Sequence, residues 1–313
     1  MENYSNETFM RRCLQLAEHG KGCVAPNPMV GSVIVCKGKI IGEGFHRQYG
    51  SSHAEVNAIN MVKDHFLLKE STLYVNLEPC SHYGKTPPCA ELIIKKQIPK
   101  VVIGTLDPFP EVAGKGVGML KEAGIELTVG ILEDECQRLN RRFFTFHQKH
   151  RPYIFLKWAQ SSDGFIDRIR QEGDGQLPVR FSDDFTQIMV HKMRAEESAI
   201  MVGSRTEKLD KPQLNVRCWF GQNPLIIKPL RENPLALQMQ ELYEQKIQSL
   251  VVEGGACLLQ SFIDENLWDE ARIEVSNIKL NAGVDAPVLS GVLKNVHKCK
   301  KTSVLIFHNH FKP

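Results

Sequence analysis

The 313-residue sequence predicts two α/β domains in tandem. Three observations carry that expectation. The length suits two domains of roughly 150 residues each. Short apolar strand-like runs alternate with amphipathic helical stretches in both halves, the pattern of layered α/β folds. A basic, polar segment, 146–151, closed by Pro152, separates the halves and gives domains of 1–149 and 150–313.

In the first half, Phe9, Cys13, Leu14, Leu16 and Ala17 recur at helical spacing over 6–20, with Gly20 as a stop. Runs 32–36 and 39–44 meet at Lys37-Gly38, a hairpin signal. Ser52 is placed to cap a helix from His53 to about Lys63. A strand over 72–77, a helix from Pro87 to Lys96, a strand over 101–104, a helix over 117–124 and a strand over 125–129 follow. One long helix is expected over 132–149. In the second half, strands are expected at 153–158, 199–203, 250–252, 270–275 and 303–308. Helices are expected at 182–195 (capped by Ser182), 238–246 and 258–265. Residues 167–178 are polar and glycine-rich, which reads as a loop.

Composition narrows the function. A net charge of +3 without a concentrated basic patch does not point to nucleic acid. The N-terminus is polar rather than leader-like, and no run of about 18 apolar residues is present. The expectation is therefore a cytoplasmic protein with no membrane partner. Nine scattered cysteines do not form a disulfide framework, and most read as small buried apolar residues.

The chemistry concentrates between residues 53 and 89. His53, Cys80 and Cys89 are a donor set that suits Zn²⁺, and three protein ligands leave a fourth position open. Glu55, two residues after the histidine, is placed to move protons beside that position. This is the zinc-deaminase pattern, in which the glutamate is the general acid/base and not a ligand. It implies replacement of an amino group on a pyrimidine-like ring by oxygen. A structural zinc with His82 as fourth ligand is the alternative, and it would leave Glu55 without a task. His147, His150 and His191 have no supporting neighbours and read as surface or packing residues.

Nucleobase deaminases place two residues between their cysteines; here eight intervene, Ser81 to Pro88. The string from Glu78 to Cys89 (EPCSHYGKTPPC) resembles the bifunctional deaminase–reductase family of riboflavin biosynthesis. So do 26–31 (PNPMVG), 42–46 (GEGFH), 53–58 (HAEVNA) and Asp107-Pro108. The resemblance implies a cytidine-deaminase-like first domain. It also implies a small-molecule substrate, a diaminopyrimidinone carrying ribose 5-phosphate. Asn27, His46, His82, Lys85 and Thr86 would then line its pocket. Lys85 in a glycine-containing loop before a helix is a reasonable phosphate contact on physical grounds as well.

The second half resembles the same family's reductase domain, with a dihydrofolate-reductase-like fold. The matching residues are 157–164 (KWAQSSDG), Arg194-Ala195, 203–206 (GSRT), 209–217 (LDKPQLNVR) and 252–255 (VEGG). The implied reaction is hydride transfer from NADPH, turning a ribosylamino group into a ribitylamino group. By resemblance Ala159, Thr206, Asp210, Gly255, Ala256, Cys257 and Leu258 belong to the NADPH site. Arg194, Leu214, Arg217 and Glu253 belong to the substrate site. Independently, a Gly-Gly turn between a strand and a helix lets backbone N–H groups approach a pyrophosphate, and two arginines suit a phosphate. The family pattern needs more residues than 218–252 supplies, so either a stretch is omitted from this sequence, the reading the intact later motifs favour, or the domain is truly shortened in its middle, with 225–229 as a join rather than an element. A true deletion there would put reduction in doubt. A deaminase with a degenerate reductase half and a nucleic-acid deaminase are the other readings. Family analogy implies a homo-oligomer.

Overall fold

The computed structural model describes residues 5–83, 87–109 and 113–309. The chain divides into two units, 1–149 and 150–313, each with its own core.

The first unit runs α1 (Asn6–Glu18), β1 (Gly31–Cys36), β2 (Lys39–Phe45), α2 (Ala54–Met61), a 3₁₀ turn (His65–Glu70), β3 (Ser71–Leu77), α3 (Cys89–Lys95), β4 (Lys100–Thr105), α4 (Lys115–Glu122), β5 (Glu126–Val129), α5 (Glu133–Leu139) and α6 (Arg141–Lys149). Its sheet has the order β2-β1-β3-β4-β5. The β1–β2 and β1–β3 pairs are antiparallel, and the β3–β4 and β4–β5 pairs parallel. Side chains alternate across each strand. Ile34, Leu73, Val75, Val101 and Ile103 pack with Ala58, Ile93 and Leu120 of α2, α3 and α4. Val33, Val35, Tyr74 and Val102 pack with Phe9 and Met10 of α1 and Cys136 of α5. A sheet covered on both faces explains why its strands read as near-continuous apolar runs. Burying each such aliphatic side chain contributes about 1.5–3 kcal/mol.

Two expectations change here. His53, not Ser52, is the N-cap residue of α2, with extended backbone and no side-chain cap bond. The long helix expected over 132–149 is two helices, broken at Asn140. The Asn140 side chain accepts from Met29 N (2.8 Å) and donates to Met29 O (2.9 Å). That pairing pins the loop before β1 to the α5–α6 junction.

The second unit runs β6 (Tyr153–Gln160), β7 (Phe165–Asp167), α7 (Asp184–Glu196), β8 (Ala199–Met201), α8 (Ser204–Asp210), β9 (Leu225–Ile227), α9 (Leu235–Glu244), β10 (Ser249–Glu253), α10 (Ala256–Asp264), β11 (Glu270–Ser276), β12 (Val284–Asp285), β13 (Val292–Lys298) and β14 (Thr302–His308). The main sheet has the order β13-β14-β11-β6-β10-β8-β9, parallel from β11 to β9, while β7 and β12 form a small separate pair. Ile154, Leu156, Trp158, Val252, Ala271 and Ile273 pack under α9 and α10. Tyr153, Phe155, Ile200 and Val251 pack under α7.

The segment 225–229 is not merely a join: residues 225–227 are an edge strand paired parallel to β8. The short connection from β9 to α9 is stitched by Gln238, 5% exposed. Its amide donates to Leu230 O (3.0 Å) and Asn233 O (2.8 Å) and accepts from Leu230 N (2.9 Å). The expected cap of α7 also changes. Asp183 is the N-cap, accepting from Thr186 N at 2.8 Å. Ser182 instead donates to Glu274.

Candidate active sites

The parallel strand β3 delivers Cys80 to the loop beyond its C-terminal end, and Cys89 opens α3. His53 precedes α2. His53 lies 27 and 36 residues before the two cysteines, yet the three converge: His53 Nδ1 lies 3.5 Å from Cys80 Sγ and 3.4 Å from Cys89 Sγ. Among the described residues they are the one group of His, Cys, Asp or Glu side chains whose ligand atoms cluster within 4.8 Å. Tetrahedral Zn–N and Zn–S bonds of about 2.0 and 2.3 Å place the ligand atoms about 3.5 Å apart. The triad therefore fits zinc. His82 is exposed and outside the cluster, which removes the four-ligand structural-zinc alternative among described residues.

The three clustered groups perturb one another's proton affinities. A hydrogen bond from Cys89 and the neighbouring His53 bring the Cys80 thiol down to about 4. Proton sharing with Cys80, and then burial, push Cys89 up. The Cys80 thiolate raises His53 to about 9. Glu55, in the first turn of α2, is 3% exposed. Burial and then the charge on Cys80 lift it to about 7. A carboxyl poised there exchanges protons readily near neutral pH.

Two further sequence-predicted residues lie alongside. His46 is buried, and its ring centroid is 5.5 Å from that of His53. Its Nδ1 bonds Ser52 O at 3.1 Å, leaving Nε2 to accept from Asn27 Nδ2 at 3.0 Å. Burial lowers its pKa, consistent with this neutral tautomer. Lys85 and Thr86 lie outside the described residues. A residue that sequence reasoning missed is Glu78. It is 4% exposed and accepts from the backbone N–H of Asp107 (3.2 Å), Gly114 (3.0 Å) and Val117 (3.1 Å). It anchors the chain two residues before Cys80 to the start of α4.

In the second unit a cavity of about 1060 Å³ opens over the C-terminal ends of the parallel strands. All eleven residues assigned there from sequence line it: Ala159, Arg194, Thr206, Asp210, Leu214, Arg217, Glu253, Gly255, Ala256, Cys257 and Leu258. Gly254 and Gly255 adopt φ of +73° and +77° before α10, a conformation that favours glycine. A Cβ on Gly255 would stand 3.1 Å from Thr206 Oγ1. The turn thus brings backbone close to Thr206 at a helix N-terminus, the geometry that accepts a phosphate.

Arg194 and Glu253 face each other in a bidentate pair, 2.7 Å at both bonds and 11% exposed on each side. Burial pushes Glu253 up, but the Arg194 guanidinium, with Lys157 nearby, brings it below the ordinary carboxylate range. Asp210 holds Arg170 at 2.5 Å, and Arg170 also pairs with Asp167, which ties the polar loop after β7 to α8. Arg217 is exposed, and its backbone N–H donates to His191 Nδ1 at 3.2 Å. His191, 1% exposed, is a buried cavity-lining group rather than a surface residue. Arg170 and His191 have no motif to single them out as site residues, and Lys157, though it opens the run 157–164, takes no role from it; the fold brings all three to the cavity.

Comparison with known proteins covers both units. Residues 3–105 match the family model for the cytidine and deoxycytidylate deaminase zinc-binding region. Residues 152–236 and 234–306 match the RibD C-terminal domain in two pieces. Those pieces meet at the short connection between β9 and α9, where the sequence reads as shortened. The riboflavin biosynthesis protein RibD of Aquifex aeolicus is 36% identical over 315 residues, covering 87% of this chain and 86% of the relative. That of Synechocystis is 42% identical over 255 residues, covering 81% and 67%. The crystal structure of a diaminohydroxyphosphoribosylaminopyrimidine deaminase/5-amino-6-(5-phosphoribosylamino)uracil reductase from Thermotoga maritima superposes with a TM-score of 0.87. It shares 33% identity and covers 97% of this chain and 98% of its own. Acinetobacter baumannii RibD gives 0.86 at 32% identity, with the same coverage.

Proposed function

Because the chain belongs to the RibD family of riboflavin-biosynthesis deaminase–reductases, we propose that it carries out both steps on one pyrimidine nucleotide. The first is hydrolytic deamination of 2,5-diamino-6-ribosylamino-4(3H)-pyrimidinone 5′-phosphate. The second is NADPH-dependent reduction of the ribosyl to the ribityl side chain. The observation that carries the reading is the convergence of His53, Cys80 and Cys89 beside the buried carboxyl of Glu55.

In the deaminase unit, His53 Nδ1 and the two thiolates would hold zinc, which supplies Lewis acidity that activates water at neutral pH. Glu55 takes one proton of the attacking water and passes it to the ring nitrogen, then carries the remaining hydroxyl proton to the departing amino group. Water and the ring N=C–NH₂ thus become HN–C=O and NH₃. Asn27 and His46 orient the ring, and His82, Lys85 and Thr86 meet the ribose phosphate or the ring. In the reductase unit, Ala159, Thr206, Asp210 and Gly255 to Leu258 bind NADPH, which supplies the hydride. Arg194, Leu214, Arg217 and Glu253 receive the deaminated nucleotide. The short middle of this domain leaves that cavity lined on all assigned sides, which favours an active reductase over a degenerate one. A free nucleotide suits the Lys85 loop better than a polynucleotide does. We further propose a cytoplasmic homo-oligomer that engages neither nucleic acid nor membrane; no helix among the described residues is long and apolar enough to cross one.

A coupled assay tests this. Wild type should release ammonia from the diaminopyrimidinone nucleotide and then oxidise NADPH. Glu55→Gln should lose about 10²–10⁴-fold in ammonia release with zinc retained, yet still reduce deaminated nucleotide supplied directly. Arg217→Ala should do the reverse. Normal ammonia release by Glu55→Gln would refute the assignment.

A further inference from the structure

Glu274 on β11 is a fully buried carboxylate that the family motifs do not assign. Strand register explains its neighbours. On one face of the second sheet, Lys157 of β6 lies opposite Glu253 of β10 on one side and opposite Arg272 of β11 on the other. Glu274 follows two residues along β11, opposite Ala159. Buried or nearly buried charges of alternating sign therefore follow one another here, Arg194, Glu253, Lys157, Glu274 and Arg272, and the first three of them line the cavity.

The hydrogen bonds are unevenly shared. Both oxygens of Glu253 are taken by Arg194. Glu274 Oε2 accepts from Ser182 Oγ at 2.5 Å. Glu274 Oε1 has no hydrogen-bond partner among the described residues. It stands 4.0 Å from Lys157 Nζ and 3.5 Å from Arg272 Nη2. Lys157 lines the cavity and is 12% exposed. A buried carboxyl oxygen without a donor is costly, and a torsional adjustment at the flexible end of Lys157 would close that gap.

We propose that Glu274 is a positioning residue of the reductase site: tethered by Ser182, it holds the Lys157 ammonium at the cavity wall. Ser182 lies immediately before the Asp183 cap of α7, the helix that carries Arg194. One hydrogen bond therefore links the lysine anchor to the element bearing the arginine. The inference rests on the reading of this cavity as the reductase site.

The test uses the full chain with NADPH and the deaminated pyrimidine nucleotide. Glu274→Gln keeps the shape and the Ser182 contact but removes the charge. It should raise the KM for the nucleotide about tenfold, leave kcat within twofold, and leave the KM for NADPH unchanged. In a Lys157→Met background the same change should alter the nucleotide KM by less than twofold, because its effect passes through the lysine. An unchanged KM in the single variant, or an equal rise in both backgrounds, overturns the proposal. Should Glu274→Gln fail to fold, Ser182→Ala must raise the nucleotide KM severalfold, and a normal value there overturns it. Absence of NADPH oxidation by wild type refutes the reductase reading itself, a result distinct from either.

Discussion

Glu78→Ala probes how the metal loop is held. The wild-type carboxylate accepts three backbone N–H groups, those of Asp107, Gly114 and Val117, at 3.0–3.2 Å, and is 4% exposed. Truncation leaves three donors facing a small void. A buried donor left without an acceptor costs about 1–3 kcal/mol, and partial hydration of the void recovers some of that. The expected loss is about 3–5 kcal/mol for the deaminase unit. A unit of this size loses roughly 2–4 °C per kcal/mol, so its calorimetric transition should fall by about 10 °C. The reductase-unit transition should not move. Because Glu78 lies two residues before Cys80, zinc retained after dialysis against a weak chelator should fall in parallel. A transition lowered by less than about 3 °C with full zinc retention would refute the reasoning, since the three N–H groups would then have found other partners.

Other outcomes follow from the same geometry. Gly44→Ala would place a Cβ 2.4 Å from Ala58 N and 2.5 Å from Ala54 O. It should push α2 off the sheet, lowering ammonia release at least tenfold while leaving NADPH oxidation intact in separate assays. Arg194→Ala strands the Glu253 carboxylate and should destabilise the reductase unit by about 3–5 kcal/mol, read by denaturant unfolding. In wild type the Glu253 pKa is lowered by that pair. Its stabilising contribution is therefore complete above the ordinary glutamate range and is lost as pH falls through the folded value, a slope that Arg194→Ala should reverse, because burial then pushes the carboxyl up. Asp163 is held at about 2, against desolvation, by bonds from Ser161 and from the N–H groups of Leu280 and Asn281. Its contribution should disappear between about pH 4 and pH 2, and Asp163→Asn should flatten that window in acid unfolding.

Much of the zinc site was legible because its chemistry is local: the His-Ala-Glu run and the two cysteines sit near strand and helix ends that periodicity locates. The layered α/β class was legible for the same reason. What escaped are side chains whose roles depend on distant partners. Asn140 breaks a continuous helical pattern only because Met29, 111 residues away, offers both backbone groups. Ser182 and Asp183 are equally good caps in isolation; Glu274, 92 residues from Ser182, decides between them. His191 read as a surface or packing residue; its burial at the cavity and its bond from the Arg217 backbone come through the fold alone. Residues 225–229 read as a join because three residues are too few to show a strand period. Pairing with β8 makes 225–227 a strand.

That short strand has a consequence for how the molecule behaves in company. β9 ends a largely parallel sheet with Leu225 and Ile226 each more than half exposed. Open edges of this kind invite strands from other chains. Here the invitation is brief. Pro224 precedes β9, Lys228 and Pro229 follow it, and Lys228 is held outward by Glu207 at 2.8 Å. Proline supplies no backbone donor and lysine brings charge, so an incoming strand finds a template three residues long. Replacing Lys228 and Pro229 with valines would extend that template, and concentration-dependent aggregation would be the cost.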